Sequence, residues 1–229
     1  MAKGIFVVGS GTDVGKTYVT ALLVKKLASE GKRAGYYKAA MSGNVRDVSG
    51  ALIPGDAKFV KDMAGIDQPL AEMCPYIYEN AYSPHLASRI EGELVKMSVV
   101  KDGFTKVTES CEFVTVEGSG GILCPIRMDG EEIMLEDIIG ELGLSTILVA
   151  DAGLGTINAV VLTVHYMRDK GIPVKGIIYN NYEPGNVMHE DNIAMCEKMT
   201  QVETLAKVKK NDTEIAMELS CLEQLYEEV

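Results

Sequence analysis

The chain contains no tryptophan, only four phenylalanines and three histidines, and its 22 lysines and arginines are outnumbered by 33 aspartates and glutamates. Scarce aromatics remove the stacking platform on which single-stranded nucleic acid is held, and a net charge of −11 repels a phosphate backbone. The expected partners therefore include neither nucleic acid nor an anionic membrane surface. Five cysteines stand at Cys74, Cys111, Cys124, Cys196 and Cys221, an odd number with no C-x-x-C pair. Free thiols in a reducing compartment are the simplest account of that pattern. No apolar run approaches the roughly 18 residues of a membrane span. The first strand-like run starts within a few residues of Met1, leaving no room for a signal peptide, so the expected location is the cytoplasm.

What is present is concentrated near the start. The apolar run Ile5-Phe6-Val7-Val8 leads directly into Gly9-Ser10-Gly11-Thr12-Asp13-Val14-Gly15-Lys16-Thr17. This reads as a phosphate-binding loop, one residue longer from Gly9 than G-x-x-x-x-G-K-[ST]. Glycines let backbone N–H groups close around phosphate oxygens, the following helix adds its positive dipole end, and Lys16 neutralises charge. Thr17 offers a hydroxyl to Mg²⁺. The bland alternative is a glycine-rich turn that happens to contain Gly-Lys-Thr. Its flanks favour function, because Tyr18 to Ser29 repeats apolar residues with helical period.

Further apolar runs recur at Arg33 to Tyr37, Phe113 to Val116, Thr146 to Ala150, Val174 to Tyr179 and, weakly, Val202 to Val208, mostly with helical patterns between them. Such alternation predicts one α/β domain over residues 1–229, a three-layer sandwich with a mostly parallel sheet flanked by helices. Site residues should then collect at the carboxyl ends of the strands. Ala39 to Pro84, interrupted by glycine and proline, reads as long functional loops around short helices. Asp212 to Val229 reads as an amphipathic closing helix.

Two acids compete as magnesium partner, Glu117 and Asp151, each at the end of an apolar run. Asp151 has the more usual residue type. Glu117 has the better neighbourhood, since Gly118-Ser119-Gly120-Gly121 is expected to form a mobile loop able to approach a phosphate. Lys38 ends the second strand and is well placed to meet a transferred phosphoryl group or a carboxylate, though a lone lysine in a loop is more often a solvated surface charge. Asp56 stands where a helix begins and is either an N-cap or a metal ligand. Gly155-Thr156-Ile157-Asn158 opens the helix after the Thr146 run, where free N–H groups suit a carboxylate. His85, after Ser83-Pro84, is a pocket wall or a capping residue; His165 and His189 carry no functional signal.

Taken in order, these pieces resemble the dethiobiotin synthetase family of P-loop enzymes. The resemblance covers roughly residues 4 to 185 and is carried by the Gly9 to Thr17 loop, Tyr37-Lys38 with Ser42-Gly43, Asp56, Ser83-Pro84-His85, Val116-Glu117-Gly118-Ser119-Gly120-Gly121, Leu154-Gly155-Thr156-Ile157-Asn158 and Tyr179-Asn180-Asn181. It implies ATP- and Mg²⁺-dependent closure of a ureido ring on 7,8-diaminopelargonate with CO₂. Lys16 and the amides of Asp13, Val14, Gly15 and Thr17 match the phosphate cradle, with Tyr18 beside it. Thr17, Asp56 and Glu117 match the metal set, and Lys38 with Lys16 the catalytic cations. Gly118, Ser119, Gly120, Asn180 and Asn181 fall on the nucleotide side. Thr12, Lys38, Ser42 and the Gly155, Thr156, Ile157 and Asn158 turn fall on the substrate side, the turn reaching across a homodimer interface.

The chain also departs from the family pattern. Gly153 stands where a basic residue is frequent, Ala159 where histidine often follows, Asn181 where aspartate is common, and Ala206-Lys207-Val208-Lys209 where Gly-x-Ile-Pro is expected. These positions leave the nucleotide base preference open. A division-site or partitioning ATPase working as a nucleotide-gated dimer is the alternative, weakened because Ser10 and Gly11 stand where such proteins usually carry an extra lysine. A ligand-sensing domain without catalysis is a second.

Overall fold

A computed structural model describes residues 1–229, and one seven-stranded sheet organises them. Its strands are β1 (Lys3–Gly9), β2 (Ala34–Tyr37), β3 (Phe113–Gly121), β4 (Thr146–Asp151), β5 (Val174–Asn180), β6 (Thr204–Lys207) and β7 (Glu227–Glu228). The order is β6-β5-β4-β1-β3-β2 with parallel pairing throughout, and β7 alone is antiparallel, against the start of β1. All six runs read as strands from the sequence are strands of this sheet.

The central strands read as unbroken apolar runs because both faces are covered. Phe6, Val8, Val114, Val116, Leu148 and Ala150 enter one core, while Ile5, Val7, Phe113, Ile147 and Val149 enter the other. Helices α1 (Lys16–Ser29) and α2 (Gly55–Ala64) cover the second face. After the four-residue α3 (Leu70–Met73) and α4 (Pro84–Glu91), helices α5 (Met97–Ser110), α6 (Leu135–Leu142), α7 (Thr156–Asp169) and α8 (Val187–Thr200) bury residues such as Phe104, Ile138, Val164 and Cys196 against the first.

Three local expectations are corrected. The closing helix is only α9 (Leu219–Leu225). Ile215, Met217 and Leu219 alternate with period two, which suits extended chain, and helical spacing begins only at Leu219 and Leu222. After α9 the Tyr226 ring meets Phe113 edge-on at 5.4 Å and its hydroxyl lies 2.7 Å from Thr115 Oγ1, which seats β7 on the sheet.

Gly118 to Gly121 is not a loop but the end of β3. Val7 pairs with Glu117 and Gly9 with Gly121, so the ladder resumes after a bulge that takes up the extra residues of β3. The Gly43 to Pro54 stretch carries a hairpin, Val45–Arg46 against Leu52–Ile53, and Ala40–Met41 pairs in parallel with Tyr76–Ile77. A second hairpin joins Pro125–Asp129 to Glu131–Met134.

Candidate active site

The loop after β1 folds around its own lysine. Lys16 Nζ donates to the Gly11 carbonyl at 2.9 Å, and a side chain at Gly9 would lie 2.9 Å from the same ammonium. Gly15 is left-handed at φ 91°, and a Cβ there would sit 2.0 Å from Asn180 Nδ2, which itself donates to the Val14 carbonyl at 3.2 Å. Only glycine fits that contact. Asp13 also adopts φ 60°, a strained value for a residue with a side chain.

The loop opens on a cleft of about 950 Å³. Thr12, Asp13, Gly15, Lys16, Thr17 and Tyr18 of the loop and the start of α1 line it, together with Lys38, Ser42, Asp56, Glu117, Ser119 and Gly120 from elsewhere in the chain. At its centre is a buried ion cluster. Glu117 Oε1 accepts from Thr17 Oγ1 at 2.8 Å and from Lys38 Nζ at 2.7 Å, and Lys38 Nζ also donates to Asp56 Oδ2 at 2.6 Å. The side chains of Glu117 and Lys38 are 0% and 7% exposed, whereas Asp56 is 38% exposed.

Burial alone pushes the Lys38 ammonium down, but Glu117 and Asp56 outweigh it and hold the group above its ordinary value. Lys16 moves the other way. Burial, then repulsion from Lys38, lowers it below the usual lysine range despite the pull of Glu117. Unequal partnering thus separates two nearby lysines: Lys38 has two carboxylates within hydrogen-bonding distance, and Lys16 has only the Gly11 carbonyl.

Asp56 does not cap α2, since Pro54 holds the N-cap position and Asp56 lies in the first turn with its carboxylate on Lys38. Asp151 lies outside the cleft. It receives Gly153 N at 2.7 Å on Oδ1 and Asn181 Nδ2 at 2.6 Å on Oδ2, so it organises the turn before α7. Asn181 is thereby directed to Asp151 rather than to the phosphate loop, whereas Asn180 touches that loop. Gly118 is buried inside β3 and does not line the cleft. Gly155, Thr156, Ile157 and Asn158 also lie off it, at the N-terminus of α7, with Leu154 beside them 92% exposed. Ser83 Oγ is 3.0 Å from His85 Nδ1; Ser83 and Pro84 line the cleft and His85 does not.

Several lining residues carried no sequence signal, namely Met41, Phe59, Ala81, Tyr82 and Cys124. They form the apolar wall, and chemically unremarkable side chains reveal themselves only through position. Cys124 is pushed up to about 11 by burial, against the opposing pull of Lys16 and Lys38, so it is a neutral thiol wall at pH 7. Tyr36 was visible only as part of a strand. It is fully buried, and its hydroxyl donates to Glu117 Oε2 at 3.0 Å. Its place two residues before Lys38 is the one signal in the sequence, since extended chain there sends both side chains to the same side.

A parallel sheet whose first strand feeds a Gly-Lys-Thr turn, with an acid and a second lysine from neighbouring strands over the same cleft, defines the class of P-loop nucleoside-triphosphate-binding proteins. The family model described as "AAA domain" matches residues 3–217. The ATP-dependent dethiobiotin synthetase BioD of Clostridium novyi is 46% identical over 92% of this chain and 88% of its own length, and that of Brachyspira hyodysenteriae is 46% identical over 91% and 92%. The protein of the same name from Clostridium botulinum is 44% identical over the whole of both chains. The chain belongs to the ATP-dependent dethiobiotin synthetase family. Among solved structures, the MinC:MinD cell division protein complex of Aquifex aeolicus matches with TM-score 0.57 at 11% identity, over 92% of this chain and 82% of that one. At that identity the likeness is one of fold alone.

Proposed function

We propose that this chain is an ATP-dependent dethiobiotin synthetase, closing a ureido ring on 7,8-diaminopelargonate with CO₂ at the cleft above the phosphate loop. The observation that carries the reading is the convergence of Lys16, Thr17, Lys38 and Glu117 on one cleft, together with family membership over nearly the full chain. The same convergence, with identities above 40% to synthetases, disfavours the division-site alternative. Residues 1–229 act as one P-loop α/β domain, in the cytoplasm.

In the proposed reaction an amine of the substrate adds to CO₂ and loses a proton, giving a carbamate. A carbamate oxygen attacks the γ-phosphorus, the bond to ADP breaks, and a carbamic-phosphoric anhydride results. The second amine then attacks the carbonyl carbon and phosphate leaves as the ring closes. Lys16 and the amides of Asp13 to Thr17 hold the β- and γ-phosphates. Lys38, always charged at working pH, stabilises the carbamate and the phosphoryl group in transit. Both act by positioning and charge, which is what phosphoryl transfer requires.

The residues fit Mg²⁺. Thr17, Asp56 and Glu117 offer only oxygen donors, and no cluster of three His, Cys, Asp or Glu side chains builds an all-protein cage. A cation that takes one or two carboxylates and completes its shell with phosphates and water suits such a set. When bound there it would neutralise charge between the phosphates. Thr12, Ser42 and Ser119 with Gly120 border the space for the diamine and the phosphates. Asn180 packs against the loop on the nucleotide side, and the base preference is set there and around Ala206 to Lys209.

The Gly155 to Asn158 turn is proposed to serve the substrate carboxylate in a homodimer. Leu154 and Leu162, 92% and 62% exposed, flank this turn, and Asn158 and Leu162 share one face of α7 by their spacing of four. Neither leucine is covered by its own chain. The decisive test of the function is a product assay with diaminopelargonate, bicarbonate and Mg²⁺, with ATP and CTP side by side. Dethiobiotin and phosphate should appear in equal amounts; no product with either nucleotide removes the assignment.

A further inference from the structure

Glu117 is the point on which the cleft turns, and its two oxygens are treated differently. Oε1 accepts from both Thr17 and Lys38, while Oε2 is met by Tyr36 Oη at 3.0 Å. The carboxylate is 0% exposed, so an oxygen without a donor would lie both unsolvated and unpaired. A carboxylate held on one side only is also free to turn about its last bond. Turning would exchange the oxygens offered to Thr17 and Lys38.

Tyr36 is itself held from the opposite side. It lies on β2, the outermost strand of the sheet, where the outer backbone edge lacks a neighbouring strand. The Gln68 side chain closes that edge at this residue: Tyr36 N donates to Gln68 Oε1 at 2.8 Å and Gln68 Nε2 donates to the Tyr36 carbonyl at 2.9 Å. Gln68, Tyr36 and Glu117 thus form a buried chain from the edge of the sheet to Thr17. The phenol has no other hydrogen-bond partner to compete for it.

We propose that Tyr36 is a positioning residue, whose hydroxyl fixes the rotation of the Glu117 carboxylate so that one oxygen stays committed to Thr17, Lys38 and the nucleotide-bound cation. This rests on the reading of Glu117 as a ligand of that cation. Partners that orient a liganding carboxylate without touching the metal typically alter affinity by about 10- to 100-fold when removed.

The test uses Mn²⁺ as a spin probe, titrated into the protein with a non-hydrolysable ATP analogue and followed by electron paramagnetic resonance. Tyr36→Phe keeps the ring and removes only the hydroxyl. It should weaken Mn²⁺ binding about tenfold and raise the Mg²⁺ requirement for turnover in step, while KM for the diamine stays within about twofold. In a Glu117→Gln background the same change should do nothing further, because neighbours that act through one another are not additive. Unchanged Mn²⁺ affinity in Tyr36→Phe, or an equal loss with and without Glu117, overturns the proposal. If Glu117→Gln alone binds Mn²⁺ as the unaltered protein does, the ligand role of Glu117 falls first and the role of Tyr36 with it. Should Tyr36→Phe not fold, Gln68→Ala carries the test. Weaker Mn²⁺ binding with the diamine KM unmoved supports the proposal, and unchanged affinity overturns it.

Discussion

Two strand-turn-helix units of the same sheet begin alike and end in different chemistry. β1 turns at Gly15 into α1 and β4 turns at Gly155 into α7; both glycines have φ 91°, and both helices run 14 residues. Each turn presents free N–H groups at a helix start. Around the first stand Lys16, Thr17, Lys38, Asp56 and Glu117, and Asn180 packs onto Gly15. Beside the second the nearest acid, Asp151, is spent on Gly153 and Asn181, and Leu154 points into solvent. A helix N-terminus is therefore only an opportunity. Buried charge delivered by the neighbouring strands β2 and β3 makes the first into a cleft, while the second stays an open surface.

The strongest way to break this contrast is to remove a cation from the first turn. Lys16→Ala or Lys38→Ala should lower dethiobiotin formation at least ~10²-fold, the scale for one lost preorganised charge. Near-normal turnover in either would take that lysine out of the reaction. Lys38→Ala also leaves Glu117 buried without its cation, so its melting temperature should fall as well.

The two acids sharpen the comparison next. Glu117→Gln should lose the normal magnesium dependence of turnover, whereas Asp151→Asn should keep it and cost about 1 kcal/mol of stability through its turn contacts. The reverse pattern, read from magnesium titrations of both variants, would move the metal site to the second unit.

The glycines come third, because their backbone angles match and only their surroundings differ. Gly15→Ala drives a methyl into Asn180 and should abolish ATP binding measured by calorimetry. Gly155→Ala meets nothing within 4 Å and should cost only the left-handed penalty of about 1–2 kcal/mol. Equal losses in the two variants would show that backbone conformation, not the neighbour, decides.

Smallest at the level of a single chain is Leu154→Asp. If the proposed homodimer forms through this face, sedimentation should shift it from dimer towards monomer with its melting profile nearly unchanged. An unaltered dimer, or a monomer before the substitution, would exclude this face of α7 as the interface.

Much of this contrast was legible in the sequence, though unevenly. Ile5 to Val8 and Thr146 to Ala150 declared themselves as strands because a parallel sheet covered on both faces demands apolar residues in succession. Gly15-Lys16-Thr17 was readable because its chemistry is local. Asp212 to Glu218 reads as helix from its apolar content, but the two-residue period of Ile215, Met217 and Leu219 belongs to extended chain, and the helix is confined to Leu219–Leu225. The strand character of Gly118 to Gly121 was hidden because glycine has little strand preference, and pairing with β1 supplied what propensity did not. Met41, Phe59 and Tyr82 gave no sign of lining a cleft, since side chains from separate segments share a wall only once the chain has folded.

By itself, then, the sequence determined the layered α/β plan, the phosphate loop and, through resemblance, the residues worth watching, because periodicity and short motifs are written in neighbours along the chain. The tertiary structure alone put Glu117 in the cleft and left Asp151 outside it, turned Asp56 onto Lys38, gave Asn180 and Asn181 different partners and brought Tyr36 against the carboxylate. Glu117 lies 79 residues from Lys38 and 100 from Thr17. Their meeting is set by the packing of β2, β3 and α1 around β1, and with it go the desolvation and paired charge that separate a buried lysine held by two carboxylates from a surface one.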